Sequence, residues 1–106
     1  SYIAGAVGNS GLVGLTTALG SRSLRHGVRV VAVNPGLIVT DRMEDILRRE
    51  ALDEFNDEER WAELIPDDPA PGSVKQCADV ITFLASSRAS HISGTTLTVD
   101  GGASAR

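Results

Sequence analysis

The sequence predicts an α/β chain in which two parallel strands are joined by helical crossovers. Two short β-branched runs, Val28 to Val33 and Thr95 to Val99, supply the strands. The stretch between them is far longer than a hairpin turn and carries helical periodicity, which points to a crossover between parallel strands. Two strands leave raw edges on both sides, so the sheet is expected to belong to something larger.

Residues 1–24 read as the first helix, with glycine at 5, 8, 11, 14 and 20. Each interior glycine costs about 0.5–1 kcal/mol relative to alanine. Four of them fall at spacing three and form a slanting ridge nearly free of side chains, as expected where another backbone approaches closely. Leu12, Leu15 and Leu19 form an apolar stripe beside it. His26-Gly27 is a helix stop. The run Val-Arg-Val-Val-Ala-Val over 28–33 reads as a strand buried on both faces, ended by Asn34-Pro35-Gly36. Apolar positions at 43, 46, 47 and 51 predict a short amphipathic helix from Met43 to Leu52. Pro66 to Gly72 is a breaker. Val74, Cys77, Ala78, Ile81, Leu84 and Ala85 then repeat with helical period over 74–86, and strand 95–99 closes on Asp100-Gly101-Gly102.

Composition narrows the function classes. The chain of 106 residues is long enough for one small core and too short for two domains, and its net charge of −4 argues against nucleic acid as a partner. Between Asp41 and Asp68 twelve acidic and four basic residues leave a local charge of −8. That segment also holds Met43, Ile46, Leu47, Phe55, Trp61 and Leu64, so it reads as a covering element rather than a disordered tail. The single Cys77 cannot form an internal disulfide, which fits a reducing, cytoplasmic setting. No apolar run is read as a membrane span, no signal peptide is read, and no spacing suggests a metal site.

The glycines at 5, 8 and 11 invite a phosphate-binding loop, in which bare backbone approaches a pyrophosphate at a helix N-terminus. That motif needs a strand before it and an acidic residue ending the next strand. Only Ser1 to Ala4 precede the first glycine and the next strand ends in Asn34, so a glycine-rich packing helix is favoured.

Three segments together resemble the short-chain dehydrogenase/reductase family. They are Gly14-Leu-Thr-Thr-Ala-Leu19 followed by His26-Gly-Val-Arg-Val-Val-Ala-Val-Asn-Pro-Gly36; Gly36-Leu-Ile-Val-Thr-Asp-Arg-Met43; and Phe83-Leu-Ala-Ser-Ser-Arg-Ala-Ser-His-Ile-Ser-Gly94 running to Leu97-Thr-Val-Asp-Gly-Gly102. The resemblance implies the C-terminal portion of a Rossmann-like, doubly wound parallel sheet, without the dinucleotide-binding half. It implies NAD or NADP as cofactor, with Asn34, Pro35, Gly36, Leu37, Ile38 and Thr40 forming one wall of the nicotinamide pocket. There the residue matching Ile38 holds the carboxamide through its backbone, and Thr40 adds a hydroxyl contact. Pro35 would fix the turn and Gly36 would avoid crowding the ring. Residues 41–72 fall where the family places its substrate lid. Met43, Phe55, Trp61 and Leu64 are candidates either to face an apolar substrate or to anchor the lid to the body. Asp100-Gly101-Gly102 lies near a subunit contact in relatives, or is a turn that needs positive φ.

The family's Tyr-x-x-x-Lys signature is where this sequence departs from the pattern. Alignment places Gly5 at the tyrosine and Asn9 at the lysine, and Asn9 has no charge to acidify a phenol. Tyr2, one turn before Gly5, is the candidate to replace the tyrosine, the other reading being plain packing. The leading expectation is that the intact protein is an oxidoreductase moving hydride between nicotinamide and a carbonyl or secondary alcohol, as a homo-oligomer, with this chain alone inactive. The alternatives are a catalytically degenerate scaffold for binding or oligomerisation, and an inactive truncated product.

Overall fold

The computed structural model describes residues 3–105. Helix α1 (Ile3–Ser23) runs into a 3-10 turn at Leu24–His26, followed by strand β1 (Val31–Pro35), helix α2 (Asp41–Phe55) and a 3-10 segment at Glu58–Leu64. Helix α3 (Val74–Ala85), a 3-10 turn at Ser87–Ala89, strand β2 (Thr95–Val99) and a final turn at Ala103–Ala105 follow in order. The fold is α/β, with β1 and β2 paired in a two-stranded parallel sheet. Two compact units emerge, one of Ser1–Asn34 with Asp79–Thr98 and one of Pro35–Ala78 with Val99–Arg106.

In the first unit, Gly27 stops the helical stretch as expected, at φ 70° with its N–H on the Leu24 carbonyl. The C-terminal end of α1 meets the loop before β2 through bare backbone. A Cβ on Gly20 would collide with the backbone of Gly94 and lie 2.9 Å from the Val30 carbonyl oxygen. Ser93 completes the junction: its hydroxyl donates to the Gly20 carbonyl at 3.0 Å and accepts the Val30 N–H at 3.1 Å. The Gly94 N–H then donates to the Val30 carbonyl at 2.8 Å. Arg29 gathers the carbonyls that α3 leaves open at its C-terminus. Its guanidinium donates to Leu84, Ala85, Ser86 and Ala89, and Leu84 and Ala89 are buried beside it.

The glycine ridge behaves differently from expectation. Gly8, Gly11 and Gly14 have open space where a Cβ would stand, so the close approach foreseen for the whole ridge is made at Gly20. Leu12, Leu15 and Leu19 of the neighbouring stripe are each more than half exposed. The glycines at 5, 8 and 11 lie inside α1, in helix rather than in a loop. One expectation needs correcting: Ile3–His26 is, by length and composition alone, long and apolar enough to cross a membrane. Glycine and alanine dilute its apolar appearance, but Arg22 and Arg25 near its end are its only Lys or Arg residues.

Strand bounds also shift. β1 starts and ends later than 28–33, because Val28 N–H is taken by the Ser23 carbonyl and because pairing with β2 carries the strand on through Asn34 and Pro35. Its residues Val31, Ala32 and Val33 are half-buried rather than buried on both faces, since among the described residues β1 pairs with β2 alone.

The second unit is organised around α2, whose Leu47 and Ala51 are buried. This helix is longer than the apolar period suggests, for reasons found at its ends. Thr40 caps the start by accepting the Met43 N–H at 3.3 Å, and Asp41 and Glu44 lie in the positive first turn. Asn56 ends it in the left-handed conformation at φ 55°. The 3-10 segment packs against α2. α3 opens on a reciprocal cap: Ser73 Oγ accepts the Gln76 N–H at 3.2 Å, and Gln76 Oε1 accepts the Ser73 N–H at 2.7 Å.

Two alanine substitutions separate the glycines of α1. Gly20→Ala should destabilise the protein by about 1–3 kcal/mol, because backbone rather than a flexible side chain must give way. Gly8→Ala should stabilise it by about 0.5–1 kcal/mol through helix propensity alone. Urea unfolding of both variants measures the two effects, and equal shifts would contradict the contact at Gly20.

Candidate functional site

The second unit brings the segment Pro35–Thr40 together with two other stretches of the same polypeptide. Gly36 N–H donates to the Val99 carbonyl at 2.9 Å, which ties the start of the segment to the end of β2. Gly72 N–H donates to the Leu37 carbonyl at 2.9 Å, and Ile38 and Gly72 form a parallel bridge. A bridge of this kind is bonded through the residues flanking Ile38. Among the described residues, no hydrogen bond outside the helices and strands uses the Ile38 N–H or C=O. One donor and one acceptor therefore stand side by side on an edge whose position is held from both flanks.

Thr40 sits at the end of this edge, exposed, as the N-cap of α2. Its oxygen accepts from Met43, and its own hydroxyl hydrogen remains available to donate. The chemical offer of the segment is thus a backbone N–H, a backbone C=O and a hydroxyl, which suits a planar amide. No group of three or more His, Cys, Asp or Glu side chains is placed to hold a metal among the described residues.

Gly36 also meets a second stretch of its own polypeptide. A Cβ there would stand 2.6 Å from Asp100 Cβ and 2.8 Å from Asp100 Cα, so the missing side chain makes room for Asp100 of the same polypeptide. Asp100 begins the turn Asp100-Gly101-Gly102, whose glycines have φ of 65° and 89°, as a turn needing positive φ requires. Its carboxylate accepts the Gly102 N–H at 2.9 Å and the Ser104 N–H at 2.8 Å. Hydrogen bonds from Ser104, hydroxyl first and then N–H, and from Gly102 hold this carboxyl below the usual aspartate range. On its other side the turn packs Gly101 near Pro69. Leu37, Pro69, Pro71, Asp100 and Ala103 are among the residues around a small cavity of about 60 Å³.

The four lid candidates lie in this unit and are half-buried. Two have their ring faces covered by arginines: Arg60 lies 4.2 Å from the Phe55 ring centre, and Arg48 lies 5.6 Å from that of Trp61. The same arginines make ion pairs. Arg48 bridges Glu44 and Glu59, both at 2.9 Å, and Arg60 meets Glu63 at 2.7 Å. Hydrogen bonding to Arg60 holds Glu63 below its ordinary range. The acidic segment is therefore stitched to itself, with the Phe55 and Trp61 rings in arginine contacts that link α2 and the 3-10 segment. Met43 lies one turn after the Thr40 cap, and Leu64 ends the 3-10 segment.

The remaining expected site residues belong elsewhere. Asn34 is exposed in β1, where the first unit ends. Gly5 and Asn9 lie on α1 in the first unit, with Asn9 exposed, and α1 carries no ionisable side chain before Arg22. Tyr2 lies outside the described residues. Sequence reasoning missed Asp100 as a partner of Gly36. An Asp followed by two glycines signals the turn, but nothing local says which backbone the turn meets.

Comparison with known proteins follows the same outline. A family model described as enoyl-(acyl carrier protein) reductase matches residues 2–104. The chain is 34% identical over 102 residues to levodione reductase of Leifsonia aquatica, covering 94% of this chain and 38% of that protein. It is 32% identical over 98 residues to the NADPH-dependent reductase BacG of Bacillus subtilis, covering 89% of this chain and 38% of that one. Among solved structures, a C-terminal deletion mutant of aldohexose dehydrogenase from Thermoplasma acidophilum superposes with a TM-score of 0.78 at 30% identity. It covers 100% of this chain and 47% of that one. The 106 residues thus span about two fifths of the length of the curated relatives they match.

The Asp100 turn gives the site a pH signature. Because the folded carboxyl titrates below its unfolded value, its contribution is complete above the unfolded pKa and disappears as pH falls through the folded one. Stability should therefore drop below about pH 4, and Asp100→Asn should flatten that part of the profile. Thermal melts from about pH 2.5 to 7 span that window, and identical acid limbs in both proteins would contradict the assignment.

Proposed function

The chain belongs to the short-chain dehydrogenase/reductase family, and from that premise we propose that it provides the nicotinamide wall and lid of an NAD(P)-dependent oxidoreductase. The observation that carries this reading is the edge at Ile38, whose N–H and C=O are used by no hydrogen bond outside the helices and strands among the described residues, with the Thr40 hydroxyl two residues on. A carboxamide presents one acceptor and one N–H₂ donor, and that edge answers both. The residues thus fit the nicotinamide end of the cofactor: Ile38 would hold the carboxamide through its backbone, and Thr40 would donate to it. When bound, the cofactor supplies or receives the hydride exchanged with a carbonyl or secondary-alcohol carbon.

The protein's own residues bind, orient and shield. Pro35 and Gly36 set the direction of the edge, and the segment lies beyond the carboxyl end of β1, where open α/β sheets take their ligands. Residues 41–72 cover the substrate, with Met43, Phe55, Trp61 and Leu64 the apolar candidates to face it. The cofactor is NAD or NADP, the Bacillus subtilis reductase being NADPH-dependent. Proton transfer falls to Tyr2, the one tyrosine of the sequence. The reading places the working protein in the cytoplasm as a homo-oligomer.

A second reading, a family member that binds without turning over, is favoured by Gly5 and Asn9 at the positions matching the catalytic pair. Titration of the intact protein with NADPH and NADH, combined with a turnover assay on small ketones and secondary alcohols, separates the two. The enzyme reading expects saturable binding and turnover, with Tyr2→Phe lowering the rate by about 10²–10⁴-fold while affinity for the cofactor stays unchanged. Binding without turnover supports the scaffold. Binding of neither cofactor contradicts both.

A further inference from the structure

We infer that Asp100 is the positioning residue of the Gly36–Ile38 edge, an inference that rests on the nicotinamide-wall reading for its role toward a cofactor. Asp100 lies directly against Gly36, where even a methyl group would be too close to its Cα and Cβ. The Gly36 N–H is fastened to Val99, the residue immediately before Asp100. A displacement of Asp100 therefore moves the start of the edge with it.

Asp100 is held in turn by its own carboxylate. The two oxygens take separate donors, Gly102 N–H on Oδ1 and Ser104 N–H on Oδ2, and so lock a turn whose two glycines have no side chains to hold it. Bonds to an ionised acceptor are the stronger kind, and here both close local rings within the turn. The far side of this turn rests on Pro69, with Cβ of that proline 3.2 Å from where a Cβ on Gly101 would stand. Pro69 lies just before Gly72, whose N–H fastens Leu37. The turn thus touches both flanks of the edge, Gly36 directly and Gly72 through Pro66–Gly72, around the cavity that Leu37 and Asp100 share. Asp100 acts on the edge through backbone placement and touches no cofactor atom.

Amide hydrogen exchange on the 106-residue chain tests the inference without any cofactor, using Asp100→Ala and Asp100→Asn. The Gly36 and Gly72 amides report the two fastenings, and the Gly94 amide, bonded to Val30 in the first unit, is the control. Asp100→Ala should speed exchange at Gly36 and Gly72 by about tenfold and leave Gly94 unchanged, as expected when charge-assisted bonds holding one local unit are lost. Asp100→Asn keeps one acceptor oxygen and should fall between the two. If Asp100→Ala fails to fold, Asp100→Asn alone decides through the same amides. Unchanged exchange at Gly36 and Gly72, or equal acceleration at Gly94, would overturn the inference. Titration with reduced nicotinamide mononucleotide then reads the role toward cofactor. Asp100→Ala should weaken its binding by about tenfold. Unchanged affinity would overturn that role. A wild-type protein that does not bind it would remove the nicotinamide reading, while the exchange comparison still decides the hold of Asp100 on the edge.

Discussion

Two positions without a side chain decide where the backbones of this protein meet. Gly20 admits the backbone of Gly94, and Gly36 admits Asp100. A methyl group at either point would have to displace backbone, the least yielding of neighbours. Around the first contact Ser93 bonds both α1 and the stretch entering β1. Around the second, the ends of the two strands are fastened by Gly36 and Val99. The buried apolar core is small, limited among the described residues to Leu47, Ala51, Leu84 and Ala89, so these polar and backbone junctions carry much of the burden of placement.

The site inherits that economy. Nothing in the Gly36–Thr40 segment is a strong acid, base or nucleophile, and its chemistry is that of backbone amide and hydroxyl. Such groups recognise a ligand only if they are held still, since a hydrogen bond weakens steeply with misalignment. Holding comes from Val99 at one end, Gly72 in the middle and the α2 cap at the other end. The acidic lid segment is self-contained by comparison. Arg48 and Arg60 pair with its own Glu44, Glu59 and Glu63 and cover its own aromatic rings, while the segment keeps its net negative charge.

Periodicity makes the order of elements legible, and Thr95–Val99 is legible to the residue because the run is rich in β-branched residues and its end is marked by a glycine pair. The Val28–Val33 run misleads for a different reason. Strand limits follow from the partner, and no local property of Val28 reveals that its N–H belongs to Ser23. The α2 limits are legible in principle: Thr40 ahead of Asp41 and Glu44, and Asn56 past the last turn, are ordinary cap signals. Reading Thr40 only as a ligand hides that signal, although one hydroxyl can accept from Met43 and still donate. Gly8, Gly11 and Gly14 show the opposite failure, a pattern implying close contact where the described residues make none. The meeting of Gly36 with Asp100 lies beyond local reading altogether, because residues 37–99 separate the two.

The central claim is that the Ile38–Thr40 edge receives a nicotinamide amide. Amide chemical-shift mapping during addition of reduced nicotinamide mononucleotide tests it without the adenine half of the cofactor. The largest shifts should fall on Ile38, Val39 and Thr40, with Val30 and Gly94 unmoved. Shifts centred on any other segment, or a spectrum that does not respond at saturating ligand, would contradict it.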